Sequence, residues 1–134
     1  MILDRDHEKV GKWIESQGGG FWRDGARCIG LEENGELVAG VMYDWCNGAS
    51  VYAHIAAKKL TRHFLWFASY YPFCQLKVNV IIGLVAEENE RSKALMDRLG
   101  FVLHTNIPDA DPSGDLLIYL MDKKHCKWLR NNHG

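Results

Sequence analysis

The sequence predicts one mixed α+β domain, with helices flanking a sheet in the order αβββαβαββ. Three observations predict it. Two Asn-Gly pairs, Asn34-Gly35 and Asn47-Gly48, separate three strand-like runs, the pattern of an antiparallel meander. The run Val78–Ala86 is apolar on both faces, as expected of a central strand covered on both sides. The stretch Asn89–Phe101 is an amphipathic helix with a marked start and stop. Asn89 can cap it, Glu90 complements its positive end, and Gly100 follows its last turn.

In chain order, residues from about Asp6 to Gln17 read as a helix with Val10, Trp13 and Ile14 on one face. Gly18-Gly19-Gly20 ends it and reads as a mobile joint. Cys28–Leu31, Leu37–Trp45 and Ser50–Ala56 are the strands of the meander. A very apolar helix then runs from about Thr61 to Tyr71, stopped by Pro72. Phe64, Phe67, Ala68 and Tyr71 make its core stripe. Leu65, Trp66 and Tyr70 lie off that stripe, which points to burial under the first helix or to a dimer contact. In Val78–Ala86, the even-numbered residues share one side and Ile81 and Val85 the other. After the capped helix, strands Phe101–Thr105 and Leu116–Met121 bracket a polar loop. From about Asp122 the tail is basic and expected to fray, apart from Trp128 and Leu129, which can dock.

The chain of 134 residues reads as a single domain spanning 1–134. A net charge of −1 gives no basic field for nucleic acid. Cys28, Cys46, Cys74 and Cys126 form no C-x-x-C pair, so neither a metal site nor a disulfide framework is expected. Buried free thiols in a reducing compartment are the simpler reading. No apolar leader core and no bilayer-length run is present, so a cytoplasmic protein without a membrane partner is expected.

Asn-Glu-Arg-Ser-Lys-Ala-Leu-Met-Asp-Arg-Leu-Gly-Phe, Asn89–Phe101, resembles the signature of the GCN5-related N-acetyltransferases. Asn89, Ser92, Leu99, Gly100 and Phe101 match it in register. The element order resembles that family from about Asp6 to Met121. The short chain looks like the divergent acetyltransferases of bacterial and phage genomes. The resemblance implies that the strands Ser50–Ala56 and Val78–Ala86 are parallel and splay apart, and that acetyl-coenzyme A enters the split. It implies contacts from Ile55 and Ala56 to the thioester, from Asn89 to the pantetheine arm, and a close helix approach at the small Ser92. The coenzyme A pyrophosphate would meet Lys58, Lys59, Leu60, Thr61 and Arg62. That segment lacks the glycines the family carries there, though a helix start with nearby cations can still hold an anion. Lys58 and Lys59 read equally as a solvated turn, and Thr61 as a plain cap. Lys93, and with less weight Arg91, could reach the adenosine phosphates; a solvated helix face suits them as well.

His54 is the candidate base, because an imidazole titrates in the right range and a base on that strand is what the resemblance implies. A packed histidine beside Tyr52 is the bland alternative. Glu32, Glu33 and Asp44 are weaker candidates. Where the family often has a Tyr that protonates the departing thiolate, this chain has Met96, which cannot donate a proton. Either Ser92, Tyr119 or water then supplies it, or the leaving thiolate needs no acid. The expected function is acetyl-coenzyme A-dependent acetylation of a primary amine on a small molecule or peptide, by direct attack. Asp109, Asp111 and Asp115 in the polar loop would attract a cationic amine, or are simply solvated. The alternative is an acyl-coenzyme A-binding or protein-interaction module on the same fold, with little catalysis.

Overall fold

The computed structural model describes residues 1–130. Seven strands form one sheet: β1 (Ile2–Leu3), β2 (Arg27–Glu33), β3 (Glu36–Asp44), β4 (Ser50–Ala57), β5 (Val80–Ala86), β6 (Val102–Asp111) and β7 (Gly114–Asp122). Their spatial order is β1-β2-β3-β4-β5-β7-β6, and every neighbouring pair is antiparallel except β4 and β5. The helices are α1 (His7–Ser16), α2 (Arg62–Tyr70), α3 (Glu90–Leu99) and α4 (Lys127–Arg130). The expected order holds, with β1 added before it and α4 after it.

The local chemistry accounts for most boundaries. Asn34 and Gly35 both take positive φ (54° and 81°), which the tight turn between β2 and β3 needs. Asn47 Oδ1 accepts from the amides of Ala49 and Ser50 and fixes the next turn. Asn89 Oδ1 accepts from Ser92 N–H at 3.0 Å, and Gly100 at φ 94° closes α3 with Phe101 N–H returning to the Met96 carbonyl.

Five expectations need correction. The central strand β5 is buried on one face only, its odd-numbered residues. Pro72 does not stop the helical path; α2 runs into a π-helical turn, Tyr71–Gln75, with Pro72 near its start, where a missing N–H costs little. Leu65 belongs to the core, and Phe67 is only half-buried. The polar loop is the tip of a long hairpin, because Asp115 accepts from Asn106 Nδ2 (2.8 Å) and Asp109 N–H (3.2 Å), while Asp111 accepts from Ser113. These bonds carry β6 past Pro108 with bulges in its ladder. Cys46 is exposed, Cys74 partly so, and only Cys28 and Cys126 are buried; all four are free thiols.

Two cores lie on opposite faces of the sheet. α1 covers one, with Val10 and Ile14 against Cys28, Met42 and Ala56. α2 and α3 cover the other, where Phe64, Phe73, Ile81, Val85, Met96, Leu99 and Phe101 pack together. Tyr43 is buried there, its hydroxyl donates to the Ala68 carbonyl, and burial holds its phenol well above the ordinary range. Burial, with Asp44 nearby, pushes the Cys28 thiol up to about 12. Trp128 docks the tail onto the α3 end, its indole N–H donating to the Leu99 carbonyl at 2.8 Å. The rest of the tail, residues 131–134, lies outside the described residues. Among the described residues, no helix is long and apolar enough to cross a membrane.

Candidate active site

The site begins where one ladder ends. β4 and β5 pair in parallel from Ser50 with Val80 to Ala53 with Gly83, and no further. Beyond that point β4 stays on β3 and β5 stays on β7, each for several residues. The two strands therefore part. Successive N–H groups of a strand point to opposite edges, so one of Ile55 and Ala56 presents its N–H to the gap.

Two connected hollows occupy this opening. One, of about 390 Å³, is lined by Ala53, His54, Ile55, Leu84, Val85, Ala86, Asn89, Ser92, Met96 and Asp111, with Gly18 to Gly20 and Phe21 across it. The other runs beside α3, between Ile55, Ala56 and Ala57 on one wall and Asn89, Arg91, Ser92, Leu95 and Arg98 on the other. Arg91 crosses it to reach the Ala57 carbonyl at 3.3 Å. Ile55, Ala56, Asn89, Ser92 and Met96 thus meet at one opening. Asn89 spends its oxygen on the α3 cap and keeps its amide donors for the opening.

The remaining candidates divide. Thr61 caps α2, accepting from Phe64 N–H at 3.1 Å. The amides of Lys58 and Lys59 both donate to the Val38 carbonyl, and the Lys59 ammonium sits 3.0 Å from Glu33. Leu60 turns into the α2-side core. Arg62 and Lys58 are exposed at the α2 start. Lys93 is held by Glu90 and the Glu87 carbonyl. Tyr119 is 3% exposed and lies outside the lining of both hollows. Burial raises its phenol above the ordinary range, and Asp97 adds to that.

His54 faces the α1 side, opposite to Val51, Ala53 and Ile55, and lines the gap. Its ring is packed against Gly20: a Cβ built there would lie 3.0 Å from both Cγ and Nδ1 of His54. A Cβ on Gly19 would fall 3.1 Å from the Ile55 carbonyl. Gly19 and Gly20 are therefore close-approach positions at the site, and not merely part of a joint. On the far side of His54, Nε2 lies 3.5 Å from Asp44 Oδ1. Sequence reasoning ranked Asp44 low and did not find Arg23 or Trp45 beside it. The register could have found Asp44. The Asn47-Gly48 turn sets Asp44 opposite Tyr52 and Met42 opposite His54, which makes Asp44 and His54 diagonal neighbours on one face.

No protein-family profile matches the chain, and no curated protein sequence does. Solved structures do. Spermidine/spermine N-acetyltransferase SpeG from Vibrio cholerae, in complex with manganese ions, aligns over 98% of this chain and 95% of its own, at 16% identity and a TM-score of 0.72. A dodecameric spermidine N-acetyltransferase from Vibrio cholerae aligns over 92% and 94%, at 15% identity and a TM-score of 0.71. A probable acetyltransferase aligns over 74% of this chain and 62% of its own, at 20% identity and a TM-score of 0.63. At such identities the likeness is one of architecture. The sheet order, the parting of β4 from β5 and these alignments together give the chain the fold of the GCN5-related N-acetyltransferases.

Proposed function

We propose that the protein is an N-acetyltransferase that moves an acetyl group from acetyl-coenzyme A to a primary amine in a ternary complex. The observation that carries this reading is the gap beyond Ala53 and Gly83, walled by Ile55, Asn89, Ser92 and Met96. The β4 N–H that faces the gap would hold the thioester oxygen and the charge that develops on it. The Asn89 amide would donate to a pantetheine carbonyl. The phosphates would run toward the α2 start, with Lys58, Arg62 and Arg91 as cations. The amine nitrogen attacks the thioester carbon, the carbon–sulfur bond breaks, and His54 takes the proton from the nitrogen. The thiolate leaves without a buried acid, since Met96 donates nothing and Tyr119 is outside the gap; Ser92 or water supplies its proton.

The polyamine acetyltransferases among the structural neighbours support a cationic acceptor. Four free thiols, one exposed, fit a reducing compartment such as the cytoplasm. We also propose a homo-oligomer, on grounds given in the Discussion.

The test is thiol release from acetyl-coenzyme A over a panel of amines, beside a coenzyme A titration. Turnover with at least one amine is expected. His54→Gln is expected to lower kcat by on the order of 10²-fold or more, with KM for acetyl-coenzyme A unchanged. Met96 favours the second reading, a coenzyme A-binding module; tight binding without turnover on any amine would establish it instead.

A further inference from the structure

A second chamber opens on the other side of His54, bounded by Phe21, Arg23, Asp44, Trp45 and Tyr52. The Asp44 side chain is 8% exposed, and its Oδ1 accepts no hydrogen bond. Its two nearest nitrogen-bearing neighbours are loosely engaged. Arg23 Nε lies 3.8 Å from Oδ2, and His54 Nε2 lies 3.5 Å from Oδ1. A buried carboxylate short of donors is costly, so it marks a place where a donor arrives. The Arg23 guanidinium also rests 4.3 Å over the Trp45 ring. Trp45 is 64% exposed and left-handed in its backbone (φ 54°), which a bulky residue rarely adopts. An exposed, strained indole and an under-bonded carboxylate thus form a seat for a flat cation, and a side chain of the protein sits in it.

We propose that this chamber takes the far end of the acceptor, that the acceptor is a primary amine with a guanidinium at the other end of an aliphatic chain, and that Arg23 occupies the seat until that guanidinium displaces it. The amine end rests on the transferase reading; the seat does not. A guanidinium stacks on an indole and offers a planar fork to a carboxylate, whereas an ammonium is a strongly hydrated point charge. The spacing suits a chain of several carbons. Asp44 lies opposite Tyr52, and from Tyr52 to Ile55 the strand advances about 10 Å. The ligand would pass His54 on the way; the His54 Nε2, 3.5 Å from Asp44 Oδ1, lies nearer the guanidinium end, so His54 would take the amine proton through a water held in the gap. Arg23 comes from the connection after α1 and is half-exposed, so it can swing to solvent.

The experiment is calorimetric titration of the protein, without acetyl-coenzyme A, with agmatine (4-aminobutylguanidine), 1,4-diaminobutane and butylamine. Agmatine is expected to bind tightest and butylamine weakest. Arg23→Ala is expected to tighten agmatine binding, because an internal competitor is gone. Trp45→Ala should weaken it by about tenfold, and Asp44→Asn by about tenfold or more. Trp45 is exposed, so its variant carries the test even if Asp44→Asn fails to fold. Agmatine binding no tighter than butylamine, or an Arg23→Ala variant that binds agmatine no better than wild type, overturns the proposal. The two readings fail separately. No thiol release with any amine, while the agmatine pattern persists, removes the transferase and keeps the seat. Release equally efficient with butylamine and agmatine keeps the transferase and removes the seat.

Discussion

Met96 packs over a glycine. A Cβ built on Gly83 would lie 3.1 Å from its sulfur, and the side chain is 3% exposed while still lining the gap. The thioether therefore fills the floor of the opening where an acid would be useful. Met96→Tyr is expected to cost roughly 1–3 kcal/mol, because the larger, stiffer ring must enter space already filled between α3 and β5. A lower melting temperature with no gain in kcat is the expected result; faster turnover at an unchanged melting temperature would contradict this packing. The departure at this position was legible in the sequence, as was the facing of His54, since strand alternation sets it. What the sequence hid was the company each keeps. Gly20 reads as flexibility until the His54 ring is seen against it. Arg23 and Trp45 come from a turn and a connection, where no periodicity fixes a direction.

At the scale of elements, the segment from Lys58 to Arg62 presents fewer donors than its sequence suggests. Two of its amides are spent on Val38, and Thr61 satisfies the Phe64 amide itself. Anion binding at the α2 start thus falls to the first amides of the helix and to side-chain charge, chiefly Lys58 and Arg62. Across the gap on α3, Arg91 and Arg98 are further cations on the wall of the hollow. Arg62→Glu and Arg91→Glu are each expected to weaken coenzyme A binding several-fold, and added salt should weaken the wild type. A titration in which both variants match wild type would move the phosphates off this wall. The helix starts and stops were legible because caps are local chemistry: Asn89, Gly100 and the Asn-Gly turns each act within a few residues. The π-helical turn after α2 and the length of the β6–β7 hairpin were not. Both depend on contacts made elsewhere, such as Asp115 reaching back to Asn106.

For the whole molecule, the sheet is unevenly covered. β5 reads in sequence as a strand buried on both faces, but only its odd-numbered residues are buried. Ile82, Leu84 and Ala86 are half-buried, as are their partners Leu120, Ile118 and Leu116 on β7. They lie on the α1 side, yet α1 packs chiefly on β2, β3 and β4. β6, one edge of the sheet, continues this bare face with Val102 and Ile107, opposite Leu120 and Leu116 and each more than 40% exposed. No Lys, Arg, Asp or Glu interrupts β6 from Val102 to Ile107; its edge is blunted by Pro108 and by the bulges of its ladder and not by charge. A mainly aliphatic face offers little for a charged partner to read and suits its own copy, related by a two-fold axis. Light scattering behind size exclusion is therefore expected to give a dimer or larger at micromolar concentration. Ile118→Lys should shift it to monomer with a nearly unchanged melting temperature, because its side chain is already half in water. Leu117→Lys, one residue along and facing the core, should instead unfold the domain. A wild type that stays monomeric at tens of micromolar would leave the bare face without this partner, and a monomer with full turnover would also make it irrelevant to the site.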